Sequence, residues 1–555
     1  MPRYPLFGAI LLFIGALAFP NQGPAAEPSF AEGATRYLRE QTTNDSPGVA
    51  VLVARDGKIV FQGGFGFADI AKKTPITVET KFRIGSISKQ FTAAAILRLA
   101  EQGKLALGDP LEKYFPGFPH GRDITLRQLL THTSGLHSYT EKPEFLGRVT
   151  NAIAPAKLIA WFQDDPPDFA PGAGFHYNNS AYFLLGEIVA KVSGKSFADH
   201  LRETFFGPLG MKDTGIFVNS TPPARMALGY SFTEGRYAPA LEWDMSWAGG
   251  AGALHSTVGD LFRWNEALFN GRVVNAGSFK AATTPVHLPA NVDGMNYGYG
   301  LVMAAIKGLP TIGHGGGLNG WSSDLLRVPG QNCTVVVLAN ALPPGPGLAP
   351  GVISRALVEK LLADEIQKLP PVTEDPSANP KSFTDYAGRF DYHGAIMTVS
   401  VEGDALFSQL TGQQKFRIFP KTKDEFFWKV TDAQVVFLRD EKGRVNAARH
   451  TQGGSSFRAP RLPDDAVKLT PAQLDAFVGQ YQYGPGVIMT VSREDTQLMA
   501  QLTGQPKYPL FTRSETEFAW RVVAASVKFV KGANGKVAKA VHSQNGTTFD
   551  APKIK

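Results

Sequence analysis

A serine and a lysine three positions apart, Ser86 and Lys89, open an apolar segment of the chain. Positions i and i+3 share a face of a helix, so the hydroxyl and the amine can meet. A lysine placed among Phe91, Ala93 and Ile96 loses hydration, which lowers its pKa and lets it accept a proton. A helix start also favours developing negative charge. The pair can therefore support acyl transfer through a serine, without a histidine as the base. Judged alone it is a weak signal, because Ser-x-x-Lys arises by chance about once in a chain of this length.

Two later segments supply groups that could complete such a site. Tyr177 and Asn179 stand in a loop before an apolar helix, where the tyrosine could relay a proton and the asparagine could hold a carbonyl or the lysine amine. His314 and Gly316 belong to a glycine-rich stretch ending at Gly317, whose N–H could serve an oxyanion hole. Judged alone, the first segment reads as a helix cap with a packing tyrosine and the second as a tight turn.

The ordered trio Ser-x-x-Lys, Tyr-x-Asn and basic-x-Gly resembles the penicillin-recognising serine enzymes. The likeness is to the class C β-lactamase-like branch, which includes D,D-peptidases, D-aminopeptidases, esterases and β-lactamases. It extends from about residue 30 to residue 368 and includes three further stretches: "ITLRQLLTHTSGL" (124–136), "YNNSAYFLLGEIV" (177–189) and "GALHSTVGDLFRW" (252–264).

The resemblance implies a role for each matched residue. Ser86 would attack a carbonyl and form an acyl-enzyme, and its N–H and that of Gly317 would hold the oxyanion. Lys89 and Tyr177 would share the general base and acid steps, in an order that the sequence leaves open. Asn179, His314 and Gly316 would bind substrate. No metal or cofactor is expected.

One departure from the family pattern bears on the substrate. Efficient β-lactamases of this branch have Lys-Thr-Gly at the third motif, whereas this chain has His314-Gly315-Gly316. Histidine is mostly neutral at neutral pH, so recognition of penicillin-like anions should weaken. We therefore expect a D-stereospecific peptidase or amidase, of the D-aminopeptidase or D-Ala carboxypeptidase kind. A carboxylesterase, a weak β-lactamase and a non-catalytic penicillin-binding sensor are the alternatives.

Other chemistries find little support in the sequence. Neither Gly-x-Ser-x-Gly nor His-Glu-x-x-His occurs, which argues against an α/β-hydrolase elbow and a zinc peptidase. The single cysteine, Cys333, permits no intrachain disulfide. The net charge of +7 is not concentrated in a basic block, so nucleic acid is not an expected partner. The expected partner is a small peptide, amide or ester, for which cell-wall fragments are a candidate source. Other copies of the chain, in a homo-oligomer, are a second candidate partner.

The elements that must position the site are recognisable. Alternating residues around Asp56-Gly57 predict a β-hairpin. Apolar patterning predicts a helix over 86–101, a strand over 334–340 and a helix over about 352–368. With the resemblance, these elements predict an α/β (α+β) domain of the β-lactamase/transpeptidase type, with an antiparallel sheet beside a helical region.

The rest of the chain contains an internal repeat. "IMTVS" at 396 and 488, "QLTGQ" at 409 and 501, and Phe437 and Phe529 all recur at a spacing of 92 residues. Short alternating strands predict two all-β, barrel-like modules that gate the cleft, mediate assembly or bind ligand. The predicted boundaries are 27–368 for the catalytic domain, 369–381 and 461–471 for linkers, and 382–460 and 472–555 for the modules.

The first residues have the pattern of an export signal. Arg3 precedes the apolar run 6–19, and small residues follow, up to Ala26. The run is shorter than the about 20 residues of a membrane span, so an uncleaved anchor is the less favoured alternative. We predict a signal peptide over 1–26 and a periplasmic or secreted protein.

Overall fold

The computed structural model describes residues 29–555 except for 43–44, 234, 289–293, 369–372, 393–394, 411–412, 463–468, 485–486, 496, 504–506, 521–524, 533 and 545–546. The predicted signal peptide lies outside the described residues, as do parts of both predicted linkers. The described residues divide into two compact units: the first holds those up to 368 and Gly453–Ser455, and the second holds the others. The exact domain boundaries stay predictions.

A six-stranded antiparallel sheet forms the frame of the first unit. Its strands lie in the spatial order Val302–Ile306, Leu309–Leu318, Trp321–Val328, Cys333–Ala339, Val49–Arg55 and Lys58–Phe65. The predicted hairpin turns at Asp56 and Gly57, which both have positive φ (53° and 72°) as a two-residue turn requires. The sheet thus joins strands from both ends of the unit, as the sequence predicted.

Both faces of this sheet are buried, and the alternation of side chains divides them between two cores. Val49, Val51 and Val53 pack with the helices Phe30–Gln41 and Pro350–Leu361. Ala50, Leu52 and Ala54 face the larger core beneath the remaining helices. Side chains point to opposite faces at successive strand positions, so one continuous apolar strand can fill two cores.

The helical region lies between the two halves of the sheet in the chain. Its helices are Leu126–Leu130, Phe145–Arg148, Pro155–Phe162, Asn179–Ser193, Phe197–Leu201, Gly207–Leu209, Gly249–Gly252, Val258–Phe269 and Ala276–Ala282, following Ser88–Glu101. Shorter turns occupy Gly85–Ile87, Leu111–Lys113, Tyr139–Glu141, Arg202–Phe206, Met245–Trp247 and Pro329–Gln331. Small strands are Phe67–Asp69, Thr74–Pro75, Phe82–Arg83, Gly215–Ile216, Tyr230–Thr233, Arg236–Pro239, Leu254–Ser256 and Gly294–Met295. None of the helices in the described part of the chain has the length and apolar character of a membrane span.

Two elements of the structure differ in detail from the sequence prediction. Residues 85–87 form a 3-10 turn, and the α-helix begins only at Ser88. A 3-10 turn repeats every three residues, so Ser86 and Lys89 still point the same way. The predicted helix 352–368 is two helices, Pro350–Leu361 and Ala363–Lys368.

The second unit contains two antiparallel β-barrels. The strands of the first are Gly388–Asp391, Ile396–Glu402, Ala405–Leu410, Phe416–Pro420, Glu425–Phe427, Ala433–Arg439, Val445–Gln452 and Ser455–Leu462, after the turn Pro380–Asp385. After the helix Pro471–Asp475, the second has Gly479–Gly484, Val487–Glu494, Gln497–Leu502, Lys507–Thr512, Glu517–Trp520, Ala525–Lys531, Val537–Gln544 and Thr547–Pro552. Hydrogen bonds between Gln480 and the last residues, Ile554 and Lys555, close the second ring.

The two barrels bury the same aromatic groups at repeat-equivalent positions. Tyr392 Oη lies 3.4 Å from His450 Nδ1 in the first, and Tyr483 Oη lies 3.1 Å from His542 Nδ1 in the second. A phenylalanine, Phe457 or Phe549, packs on each pair. The recurrence shows that both barrels contain the same cluster of tyrosine, histidine and phenylalanine, as expected of a duplicated fold.

Candidate active site

The turn Gly85–Ile87 presents Ser86 to a cavity of the first unit. Ile84, just before it, donates its N–H to the Leu254 carbonyl, and the Ile84 carbonyl accepts from Ser323 Oγ at 2.9 Å. Gly85 has φ +51°, and a Cβ there would lie 2.8 Å from the N atom of Gly317. A glycine is therefore needed for this turn to approach the strand Leu309–Leu318 so closely.

Lys89 is completely buried, and its amine has three partners. Nζ lies 2.8 Å from Asn179 Oδ1, 2.9 Å from the Ala251 carbonyl oxygen and 3.1 Å from Ser86 Oγ. The first two partners can only accept, whereas the serine hydroxyl can also donate. A neutral lysine would thus donate both N–H groups to Asn179 and Ala251 and direct its lone pair at the Ser86 hydroxyl.

The surroundings of Lys89 favour that neutral form. Burial lowers its pKa well below the ordinary value. Among the described residues no carboxylate forms an ion pair with it; its other neighbours are the rings of Tyr177 and Tyr182, whose centroids lie 4.7 and 5.5 Å from Nζ. The lysine is therefore suited to take the serine proton.

Tyr177 and Asn179 reach the site from the start of the helix Asn179–Ser193. Asn178 caps this helix, accepting the Ala181 N–H at 2.8 Å. The Asn179 amide donates to Thr140 Oγ1 at 3.1 Å, which turns its oxygen toward Lys89. Burial raises the pKa of the Tyr177 phenol, partly offset by a hydrogen bond with Ser86, so the phenol stays protonated at neutral pH.

The strand Leu309–Leu318 brings the Gly317 N–H to the same place. Leu318 and Trp321 close a two-residue turn and so form a hydrogen-bonded pair, which makes Gly317 and Ser322 the alternate, unbonded pair. The Gly317 N–H therefore points away from Ser322, toward the turn that carries Ser86. A Cβ at Gly316 would lie 2.0 Å from the Ile84 carbonyl oxygen, so this strand too requires glycine.

His314 belongs to the same strand, and its side chain is buried. Its Nδ1–H donates to the Gly315 carbonyl, and Nε2 accepts from Tyr297 Oη at 2.9 Å. Burial, with a smaller contribution from Lys89, lowers its pKa to about 3, so the ring is neutral at neutral pH. Contact of His314 or Gly316 with substrate stays a prediction.

A cleft with about 690 Å³ of empty space, partly open to solvent, lies over Ser86. Ser86, Tyr177, Asn179 and Gly317 line it, with a wall of other residues: Tyr139, Thr140, Glu141, Phe145, Trp243, Asp244, Met245, Trp247, Ala248, Ala251, Gly252 and Leu318. A carbonyl bound here can reach the serine and the oxyanion N–H groups together. Five of the sixteen lining residues are aromatic, and the two charged ones are both acidic.

Sequence reasoning missed the acidic wall of the cleft, which Glu141 and Asp244 form. Glu141 Oε1 lies 3.0 Å from His176 Nε2, and Asp168 also binds this imidazole. The hydrogen bonds that the ring donates to Asp168 and Glu141 raise the His176 pKa to about 10, so the ring is a cation that anchors Glu141. Asp244 caps the turn Met245–Trp247 through the Ser246 N–H. These residues come from distant loops without a common motif, so no pattern in the chain could have indicated them.

A second missed group, Arg83, supports that wall. Its guanidinium lies between the rings of Phe217 and Trp321, 4.0 and 4.4 Å from their centroids. It donates to the Trp243 carbonyl at 3.1 Å and pairs with Glu242. The arginine thereby fixes the loop that carries Asp244.

Fold and site together define a serine hydrolase. The beta-lactamase family model matches residues 34–359, more than half of the chain, and the chain belongs to that family. A second model, a domain of unknown function (DUF3471), matches residues 373–457, which include most of the first β-barrel.

Similar proteins carry related activities. Penicillin-binding protein 4* of Bacillus subtilis (strain 168) is 28% identical over 425 residues, 70% of this chain and 90% of that protein. D-aminopeptidase of Brucella anthropi is 29% identical over 303 residues, 53% of this chain but only 56% of its own length. The structure of D-amino acid amidase from Ochrobactrum anthropi SV3 matches with a TM-score of 0.54 and 26% identity, covering 61% of this chain and 100% of that one.

Proposed function

We propose that this protein hydrolyses small amides or peptides that have a free amino group, with D-stereospecificity, through an acyl-enzyme on Ser86. The observation that carries the proposal is a cleft in which the Ser86–Lys89 pair faces an acidic wall. The D-aminopeptidase and the D-amino acid amidase among the similar proteins support amide chemistry and D-stereospecificity.

The geometry supports Lys89 as the base for acylation. As Ser86 Oγ bonds to the carbonyl carbon, its proton passes to the Lys89 lone pair, and the carbonyl π electrons move to the oxygen held by the Ser86 and Gly317 N–H groups. The C–N bond then breaks, and the leaving nitrogen takes a proton from Tyr177. Lys89, now charged and near Tyr177, returns a proton to that phenol. The product amine leaves, and Ser86 carries an acyl ester.

Deacylation follows the same path in reverse order with water as the nucleophile. Lys89 takes a proton from the water as its oxygen bonds to the ester carbon. The ester C–O bond breaks, and the proton returns to Ser86 Oγ. The neutral lysine and protonated tyrosine are restored, so the site needs no external acid or base.

Charge selects the substrate class. None of the cleft-lining residues in the described part of the chain is Lys, Arg or His, while Glu141 and Asp244 both face the space. His176, which pairs with Glu141, and Arg83, whose charge acts on Asp244, do not line the cleft. A substrate ammonium would meet a carboxylate, whereas a substrate carboxylate would be repelled. This favours aminopeptidase or amidase activity over carboxypeptidase or β-lactamase activity.

Export belongs to the proposal on sequence grounds, because the N-terminal segment has the signal pattern. Fractionation of a host that expresses the full chain would check it, and the protein is expected outside the cytoplasm with a mature N-terminus near residue 27. Assembly into a homo-oligomer and the role of the β-barrels stay predictions.

Turnover of matched substrates tests the function. We expect D-alanine p-nitroanilide to be cleaved faster than its L enantiomer, its N-acetyl derivative, p-nitrophenyl acetate and nitrocefin. The Ser86→Ala variant controls for background. Glu141→Gln with Asp244→Asn should raise KM for the free amine about 10-fold or more and leave the acetylated amide unchanged. A preference for nitrocefin, or equal cleavage of the acetylated amide, would contradict the proposal.

A further inference from the structure

His132 has a backbone conformation that is uncommon for a side chain of its size. It follows the helix Leu126–Leu130, has φ +61° and exposes only 1% of its surface. A non-glycine residue in the left-handed region persists where its surroundings over-determine it, and such residues cluster at functional sites.

Two hydrogen bonds join His132 to the backbone on both sides of Tyr177. The His176 N–H donates to the His132 carbonyl oxygen at 2.9 Å. The Asn178 N–H donates to His132 Nδ1 at 3.0 Å. One residue thus holds the chain immediately before and immediately after the tyrosine, through its backbone and its side chain.

The ring of His132 also packs on the tyrosine. Their centroids are 4.4 Å apart, and the imidazole contacts the rings of Tyr182 and Tyr297 on its other sides. A phenol whose backbone is anchored on both flanks, and whose ring rests on a fixed ring, has little freedom to turn away from Lys89. The left-handed φ is what lets the carbonyl and the ring of one residue serve both flanks.

The hydrogen bond to Asn178 sets a condition on the imidazole. Nδ1 can accept only when it carries no proton, so the neutral ring must have its proton on Nε2. Burial lowers the His132 pKa well below its ordinary value, with smaller contributions from Lys89, His314 and His176. The ring stays neutral through the neutral pH range, and the bond persists there.

We propose that His132 is a positioning residue that holds the Tyr177 phenol in line with Ser86 and Lys89. The inference rests on the proposed acyl-transfer function of that site. It gives the histidine of the "THTSG" stretch a role in the alignment of a proton donor.

Three variants separate this role from simple packing. His132→Ala removes both the ring and the acceptor. His132→Asn places a carbonyl oxygen where Nδ1 lies, and asparagine tolerates positive φ. His132→Gln carries its acceptor one bond too far. His200→Ala is the matched control, since His200 is a buried histidine (8% exposed) of the helix Phe197–Leu201, outside the site.

The primary readout is the rate of Ser86 labelling by a fluorophosphonate, which requires no knowledge of the natural substrate. We expect His132→Ala to slow labelling about 10- to 100-fold, as misplacement of a reacting group does. His132→Asn should recover most of the rate, and His200→Ala should retain it. Circular dichroism and thermal unfolding check that each variant is folded.

Rescue by His132→Asn is the readout that a packing role would not produce, and the pH profile of labelling adds a measurement of the surroundings of Lys89. The titratable groups around Lys89 are Tyr177, Tyr182, His132 and His314. Loss of the His132 ring admits water, which raises the Lys89 pKa. The acidic limb of the plot of labelling rate against pH should therefore move to higher pH. His200→Ala should leave the limb in place.

The proposal would be overturned if folded His132→Ala were labelled at a rate within about twofold of the unaltered protein and its acidic limb lay at the same pH. If the alanine variant does not fold, the test becomes a comparison of His132→Asn with His132→Gln. Equal labelling rates for these two variants would also overturn the proposal. Absence of amide turnover by the unaltered protein would instead defeat the proposed substrate class, and the labelling experiment would still be readable.

Discussion

Asn179→Asp is the most direct perturbation of Lys89, the proposed base. The substitution preserves shape but replaces the amide oxygen 2.8 Å from Lys89 Nζ with a carboxylate oxygen. Thr140 can rotate its hydroxyl to donate to the second carboxylate oxygen, so the local packing need not change. The variant therefore changes the charge next to Lys89 and little else.

The expected effect follows from that distance. At an effective dielectric constant of about 20, two unit charges 2.8 Å apart attract by about 6 kcal/mol. Because one pKa unit corresponds to about 1.4 kcal/mol, the full attraction would raise the Lys89 pKa by about 4 units. Burying the new carboxylate opposes part of this gain, so we expect a rise of at least about 2 units.

A raised pKa keeps Lys89 protonated and unable to accept the Ser86 proton at neutral pH. Fluorophosphonate labelling measured from pH 5 to 10 should therefore show the acidic limb at least about 2 pH units higher in Asn179→Asp, with the rate recovering at alkaline pH. Asn179→Ala is the control, since it removes the amide without adding charge. An acidic limb at the same pH in the Asp variant and the original protein would refute the assignment of Lys89 as the base.

Two further predictions concern the frame around the site and the barrels. Gly316→Ala would place a Cβ 2.0 Å from the Ile84 carbonyl oxygen. We therefore expect the free energy of unfolding to fall by about 1–3 kcal/mol and Ser86 labelling to slow. Wild-type values for both quantities would contradict this close approach. Burial lowers the pKa of His450 to about 4, below its ordinary value of 6.5. The unfolded state therefore binds the proton more readily, and stability is lost as the pH falls from about 6.5 toward 4, by up to about 3 kcal/mol. Urea unfolding of the first barrel at pH 7 and pH 5 should show this loss, and a His450→Phe variant with an unchanged pH slope would disprove the contribution of His450.

The chemistry of the nucleophile could be predicted because it is local. Ser86 and Lys89 are one turn apart, so their meeting depends only on helical periodicity, which 3-10 and α geometry share. The apolar residues after Lys89 indicated its burial. The hairpin at Asp56-Gly57 was readable for the same reason, since φ values in a two-residue turn depend on the turn residues themselves.

The remaining parts of the site depend on contacts across the chain. Tyr177 and Asn179 were recognised by resemblance to a family, but only the fold places the Asn179 oxygen 2.8 Å from Lys89. The proposed role of Lys89 as a neutral base likewise depends on the Ala251 carbonyl, which no motif marks. The sequence argument for a neutral His314 used only the ordinary pKa of histidine. In the structure, burial beside Tyr297 lowers the pKa to about 3, which keeps the ring neutral over a wider pH range.

By itself the sequence determined the pairing of Ser86 with Lys89, the hairpin at Asp56-Gly57 and the repeat in the β modules. Only the tertiary structure decided that Glu141 and Asp244 share the wall of one cleft, and that His132 holds both flanks of Tyr177. The physical reason is that periodicity and turn chemistry act over a few neighbouring residues, whereas charge, burial and alignment in a cleft depend on loops brought together by packing.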